Sequence, residues 1–169
     1  MKLMEITQQK GTYAGVRFSS KTKKLIKQYC DENNIPKAIS PDKMHTTVLY
    51  SRKYLPDYEA AGNYPKPLIG TPTSFDVWKS NNEDGSSANC LVIEYDCPEL
   101  TKRHDDLMEE HGATYDYDNY KTHITLSYDI GDMDIKDLPD FKKTVPTIEI
   151  VSEYQEELDL SWAKNKGTT

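Results

Sequence analysis

Two short segments of the chain repeat the same order of polar side chains. Residues 43–50 (KMHTTVLY) and 121–128 (KTHITLSY) both read Lys-x-His-x-Thr-apolar-x-Tyr. Both are rich in β-branched and aromatic residues, so residues 44–51 and 122–128 are predicted to be strands. Strand side chains alternate between faces, so each segment presents its Lys, His and Thr on one face. The opposite faces carry residues that are predicted to enter the core: Met44, Val48 and Tyr50 in the first segment, and Ile124, Leu126 and Tyr128 in the second.

Two histidines and two threonines around one centre fit the cleavage of a phosphodiester. One imidazole accepts a proton from the attacking oxygen and the other protonates the leaving oxygen, because the ordinary histidine pKa of about 6.5 allows both forms near neutral pH. Either histidine fits either role. Threonine hydroxyls hydrogen-bond the non-bridging oxygens, lysines add positive potential, and the scheme requires no metal ion. The residues of this candidate site are His45, Thr47, His123 and Thr125, with Lys43 and Lys121 beside the phosphate.

The elements that must position this site form an α+β pattern. Helices are predicted at residues 21–33, with Ser20 as the N-cap, and at residues 98–112, with Gly112 as the C-cap. The other predictions are a strand at 12–19, a proline-rich irregular excursion at 56–72, strands at 73–79 and 89–96, and one or two strands at 145–162. A strand-helix-strand order thus occurs twice, which predicts two similar halves. The length of 169 residues favours one domain over residues 1–169.

Composition and motifs argue against several other classes of protein. A net charge of −7 disfavours a partner such as long nucleic acid, and no apolar run approaches the roughly 18 to 20 residues of a membrane span. Three cysteines without a CxxC motif predict reduced thiols and a cytoplasmic protein. There is no GxSxG elbow, no phosphate loop of the Walker type and no zinc-ligand spacing. His104 and His111 lie on the apolar face of the predicted helix 98–112, so they are interpreted as structural residues.

The paired His-x-Thr motifs resemble those of the 2H phosphoesterase superfamily, and within it the chain is most similar to the anti-CBASS nucleases of tailed phages. The resemblance implies a two-lobed α+β fold with antiparallel sheets, a helix packed on each lobe and a central cleft. It also implies that His45 with Thr47, and His123 with Thr125, act on the phosphate without a metal or other cofactor. In that family, aromatic residues under a C-terminal lid stack on the bases. The resemblance therefore implies stacking roles for Tyr13 and Trp162, and an adenine-reading role for Glu156, with Glu153 and Glu157 as competitors.

The function that this resemblance implies is cleavage of 3′–5′ linkages in cyclic di- or oligonucleotide messengers. Such a phosphodiesterase counters the CBASS anti-phage signalling system of bacteria, and it acts in the host cytoplasm if a phage encodes it. Two alternatives stay open at this point. One is a phosphodiesterase that acts on RNA ends or 2′,3′-cyclic phosphates, and the other is a module that sequesters nucleotides without turnover.

Overall fold

The structure is a computed structural model that describes residues 10–81, 84–115 and 119–159. These residues form an α+β fold, as predicted, with one antiparallel sheet whose strand order is β2-β1-β6-β3-β4-β5. The strands are β1 (Lys10–Phe18), β2 (Thr46–Ser51), β3 (Gly62–Asn81), β4 (Ser87–Asp96), β5 (His123–Ser127) and β6 (Ile148–Asp159). The helices are α1 (Ser20–Glu32), α2 (Pro98–His111) and the single turn α3 (Phe141–Thr144). None of the helices in the described residues has the length and apolar character that crossing a membrane requires.

The sheet curves until its two edge strands, β2 and β5, approach each other. Thr46 Oγ1 of β2 donates a hydrogen bond to the carbonyl oxygen of His123 in β5 at 2.8 Å. The amide of Ile39, in the loop before β2, donates to the carbonyl of Leu126 at 2.8 Å. Since β2 and β5 carry the two repeated motifs, this curvature brings the motifs together.

Strand β3 replaces most of the irregular excursion predicted at residues 56–72, so that prediction was wrong from Gly62 onward. The strand pairs with β6 at Gly62 and Asn63 and again from Leu68, and the four residues between them form a bulge. This bulge contains Pro65 and Pro67, which have no N–H for a ladder and are tolerated where pairing is interrupted.

The long β3 strand also joins the two halves of the sheet. Its first part pairs with β6 and its second part, from Thr71, pairs with β4. The separate sheets that the resemblance implied are therefore one continuous sheet. The tail contributes a single strand to the described residues, β6, which lies between β1 and β3 in the interior of the sheet.

The N-terminus of α1 is capped by Ser19, and the prediction of Ser20 was wrong by one residue. The two serines have the same capping chemistry, and the contact with β6 decides between them. Ser19 Oγ accepts from the Thr22 amide at 3.1 Å and donates to Glu149 Oε1 at 2.8 Å. The cap therefore fixes α1 on β6.

Helix α2 agrees with its prediction at both ends. Pro98 begins the helix, where a missing N–H costs no hydrogen bond. Gly112 ends it with φ +61°, a left-handed conformation that glycine adopts without steric cost.

The core lies between the helices and one face of the sheet. Tyr29 of α1 contacts Phe75 of β3 and Phe141 of α3, with ring centroids 5.8 Å and 5.0 Å away. Leu100 and Leu107 of α2 are fully buried in the same cluster. The face of β2 and β5 that points away from this core is available for the polar motif residues.

Candidate active site

A β-bulge follows the threonine of the first motif. The pairing of β2 with β1 slips by one residue after Thr47, so Val48 and Leu49 are both fully buried. Tyr50 then lies on the same face as Thr47, with its ring edge-to-face against Tyr13 at 6.3 Å. The prediction that Tyr50 enters the core was wrong, because the bulge breaks the alternation on which it rested.

The second motif contains a bulge at the equivalent place. The pairing of β5 with β4 slips between Thr125 and Ser127, and both Leu126 and Ser127 are fully buried. Tyr128 is therefore 60% exposed, and its predicted core position was also wrong. The other predicted core residues of the two motifs are buried as expected: Met44, Val48, Ile124 and Leu126. The repeat between the two segments thus extends from residue types to backbone geometry.

The two motif histidines have the same hydrogen-bond geometry. His45 Nδ1 lies 3.0 Å from the Lys43 carbonyl oxygen, and His123 Nδ1 lies 3.0 Å from the Lys121 carbonyl oxygen. A carbonyl oxygen only accepts, so Nδ1 donates and carries the proton in the neutral ring. In both residues Nε2 is then the nitrogen that accepts or delivers a proton. In each repeat, the backbone carbonyl of the lysine, rather than its ammonium group, orients the histidine ring.

The electrostatic surroundings of His123 favour its neutral form. Burial lowers the pKa of His123 below its ordinary 6.5, against the opposing effects of the Lys121 carbonyl and the Glu94 carboxylate. Positive charge on His45 lowers this pKa further, so the two imidazoles are near enough to interact. Glu94 is the neighbour of His123 across the β4–β5 pairing, and Lys121 Nζ lies 3.8 Å from Glu94 Oε1. Lys43 is exposed beside the first motif.

Thr47 has a tyrosine partner behind it. The Tyr13 hydroxyl lies 3.0 Å from Thr47 Oγ1, and the Tyr13 ring stands edge-on to the His45 ring at 6.1 Å. Burial raises the pKa of Tyr13, so its hydroxyl keeps its proton. Only 8% of Tyr13 is exposed, which leaves little ring surface for the stacking role that the resemblance implied. Thr125 is half-buried on the face of β5 that carries His123.

Trp78 is a site residue that the sequence reasoning missed. Its ring centroid lies 4.3 Å from that of His123, and its Nε1 donates to Asp76 Oδ2 at 2.8 Å. The side chain is 36% exposed, so a ring surface is open to a ligand. Alternation along the predicted strand 73–79 puts Asp76 and Trp78 on one face, but only the pairing of β3, β4 and β5 brings that face to His123.

The three glutamates that compete for base recognition have different surroundings. Glu156 is exposed and lies opposite Tyr13 in the β1–β6 pairing, on the face that carries Thr47. Glu153 is 2% exposed and binds Arg103, with Oε1 and Oε2 each 2.9 Å from a guanidinium nitrogen. Glu157 Oε2 lies 3.3 Å from Lys10 Nζ. Trp162 lies outside the described residues.

The remaining histidines lie away from the motif face. His104 is 5% exposed, its Nδ1 donates to the Val48 carbonyl at 2.7 Å, and its ring stacks on Tyr120 at 4.1 Å. His111 contacts the Tyr58 ring edge-to-face at 6.1 Å. Within the described ranges, no three His, Cys, Asp or Glu side chains converge as metal ligands.

Comparison with known proteins places this chain in a family. The family model described as "Anti-CBASS protein Acb1" matches residues 10–165. The chain is 36% identical over 165 residues to the anti-CBASS protein Acb1 of Vibrio phage KVP40, covering 98% of this chain and 99% of the relative. The corresponding protein of Acinetobacter phage Ac42 is 34% identical over 162 residues, covering 96% and 99% of the two chains. That of Enterobacteria phage T4 is 31% identical over 153 residues, covering 90% and 91%.

This chain therefore belongs to the anti-CBASS protein Acb1 family. The resemblance of the chain to phage anti-CBASS proteins, expected from its sequence, is confirmed.

Proposed function

We propose that this protein is a metal-independent phosphodiesterase of the 2H type that cleaves 3′–5′ linkages in cyclic di- or oligonucleotide messengers. The observation that carries the proposal is the matched pair of imidazoles. Each is held through Nδ1 by a backbone carbonyl at 3.0 Å, and each is followed by a threonine on the same face. The family name adds the context, because messenger cleavage counters CBASS signalling in an infected cell.

The proposed reaction begins with attack by a ribose 2′-hydroxyl on the adjacent phosphorus. His123 Nε2 accepts the hydroxyl proton, since its lowered pKa favours the neutral ring that a general base requires. His45 Nε2 protonates the departing 5′-oxygen. The P–O5′ bond breaks as the P–O2′ bond forms, which leaves a 2′,3′-cyclic phosphate. Water then opens this ring with the two proton-transfer roles exchanged.

The threonines stabilise the charge that develops on the non-bridging oxygens. Either hydroxyl can donate in the 3.0 Å hydrogen bond between Tyr13 and Thr47, and when Tyr13 donates, the threonine's own proton is left for the phosphate. Thr125 has the equivalent position beside His123. Lys43 and Lys121 supply positive potential near the phosphates.

Base recognition is assigned to aromatic surfaces beside the histidines. The open ring surface of Trp78 supports stacking of one base next to His123. Trp162 and Glu156 keep the stacking and adenine-reading roles that the resemblance implies. Tyr13 is assigned to the support of Thr47, because it is buried.

The decisive experiment incubates the protein with cyclic di- and trinucleotides in excess EDTA and separates the products. We expect linear products, with a 2′,3′-cyclic phosphate as the intermediate, at a rate that the chelator does not change. RNA ending in a 2′,3′-cyclic phosphate is included in parallel. Activity that EDTA removes and Mg²⁺ or Mn²⁺ restores would contradict metal independence. Binding without any product would favour sequestration.

The pH dependence of kcat/KM tests the assignment of His123 as the base. Neutral His123 is the active form, and burial lowers its pKa, so the acidic limb should lie below 6.5. The Glu94 carboxylate raises the pKa of His123, so Glu94→Gln should move this limb to lower pH.

Glu32→Gln makes the same charge change on the exposed end of α1 and is the control. It should leave the limb in place. If the acidic limb of the Glu94→Gln variant moved to higher pH, the limb would reflect the titration of a group other than His123.

A further inference from the structure

The two motif strands approach each other without pairing in the sheet. Strands β2 and β5 stand at opposite ends of the strand order, so no β-ladder sets their separation. The two histidines therefore depend on other contacts for their relative position. Two of these contacts involve Thr46, the residue between His45 and Thr47.

Thr46 stands in the middle of a buried chain of hydrogen bonds. The Tyr95 hydroxyl of β4 donates to Thr46 Oγ1 at 2.7 Å, and Thr46 Oγ1 donates to the His123 carbonyl at 2.8 Å. The direction is fixed, because a carbonyl only accepts and each hydroxyl has one proton. Thr46 is 0% exposed and Tyr95 is 2% exposed, so water does not replace these bonds.

Tyr95 contacts both motif strands at once. Its hydroxyl binds Thr46, and its backbone carbonyl accepts a hydrogen bond from Thr122 Oγ1, one residue before His123. Its ring packs on Gly70 of β3, where an added Cβ would lie 2.5 Å from a ring carbon. Packing against β3 therefore fixes the ring of Tyr95 near the place where β2 and β5 approach each other.

The second motif has no equivalent of this hydroxyl. The position that corresponds to Thr46 is Ile124, which is fully buried and apolar. The Thr46 hydroxyl therefore makes a contact that the second motif does not return, and it binds the carbonyl of His123 itself. This bond therefore ties the backbone of His123 in β5 to the first residue of β2.

We infer that Thr46 and Tyr95 are positioning residues that set the spacing of the two catalytic histidines. This inference rests on the proposed function. Proton transfer from one oxygen and to another on the same phosphate requires both Nε2 atoms within hydrogen-bond reach of the substrate. The Tyr95–Thr46–His123 chain holds this geometry before substrate binds.

The test compares Thr46→Val, which keeps the shape and removes the hydroxyl, with Thr46→Ser, which retains it. We expect Thr46→Val to lower kcat about 10- to 100-fold, since a misplacement near 1 Å costs on the order of 10²-fold. KM should stay within about threefold, and Thr46→Ser should restore most of kcat. Histidine NMR signals should shift in Thr46→Val at equal folded fraction.

The matched control is Thr22→Val, because Thr22 is 1% exposed and its hydroxyl also binds a backbone group, the Glu149 amide at 3.0 Å. This variant should be destabilised with kcat unchanged. If Thr46→Val does not fold, Tyr95→Phe tests the same inference, because it removes the hydroxyl that binds Thr46. Its control is Tyr29→Phe, since Tyr29 is also buried and its hydroxyl also donates one hydrogen bond, to the Pro139 carbonyl.

A folded Thr46→Val or Tyr95→Phe protein with wild-type kcat and unshifted histidine signals would overturn the inference. Absence of cleavage by the wild-type protein would instead contradict the proposed function. The histidine signals would then still report whether the hydroxyl sets the imidazole positions.

Discussion

Replacing His45 or His123 by Ala should reduce the rate of cyclic dinucleotide cleavage by on the order of 10² to 10⁴. Each change removes one partner in the proposed proton transfer, and neither ring is part of the buried core, so the fold should persist. In the proposed mechanism the two residues act as one unit, so the double variant should lose much less than the product of the two single losses. The measurement is single-turnover cleavage with circular dichroism on the same samples.

The control for this prediction is His111→Ala. His111 is a partly exposed histidine at the end of α2, and its ring contacts Tyr58 rather than either motif. Its loss should leave the rate within about twofold of wild type. A folded His45→Ala protein that turns over at the wild-type rate would refute the two-histidine mechanism.

Replacing Arg103 by Ala should destabilise the fold more than any of the substitutions at the candidate active site. The change leaves the Glu153 carboxylate buried without its ion partner, although Tyr58 and the Ala61 amide still donate to it. Breaking a buried pair in this way costs about 3 kcal/mol, at the lower end of the usual range because Arg103 is 31% exposed. Denaturant unfolding at neutral pH measures the change.

The pH dependence of this loss follows from the pKa of Glu153. Burial alone raises this pKa, but the Arg103 guanidinium and the hydrogen bonds to the carboxylate lower it below the ordinary 4.5. The pair therefore stabilises the wild-type fold above pH 4.5, and this contribution disappears as the pH falls through the lowered value. In Arg103→Ala the stranded carboxylate gains stability by protonation, so the two proteins should converge in acid.

Lys102→Ala is the control, since Lys102 makes an exposed ion pair with Asp106 on the same helix. It should unfold as wild type does. A difference between Arg103→Ala and wild type that grows as the pH falls would show that the Glu153 carboxylate is not responsible.

The paired histidines were predictable because a strand alternates strictly over short distances. Two residues are one full period, so His123 and Thr125 share a face of β5. His45 lies immediately before β2, and it shares with Thr47 the contact to Tyr13. The prediction failed at Tyr50 and Tyr128, where a bulge adds one residue and reverses the faces. A bulge depends on pairing with a neighbouring strand, and the local sequence carries no clear sign of it.

The other residues around the site were hidden by strand order. Trp78 lies on β3 and Tyr95 on β4, and their roles follow from a strand order in which β4 pairs with β5 and β3 pairs with β4. The prolines of residues 56–72 led to the prediction of a loop. A bulge within a long strand also accepts proline, because neither a loop nor a bulge needs the missing N–H, so the prolines alone do not distinguish the two. No pattern in the sequence marks Thr46 as a site residue, because only the curvature of the sheet places the His123 carbonyl beside it.

The interior position of β6 has a consequence for the order in which the molecule folds. This strand comes last of the six along the chain, yet it separates β1 from β3. During synthesis, strands β1 and β2 can pair early, and so can β3, β4 and β5, but among the described strands no ladder joins the two groups until β6 has left the ribosome. Contacts between residues so distant in sequence form slowly. Once residue 123 has been added, the nascent chain carries both histidines, but the sheet that supports the proposed centre is complete only when the final strand inserts.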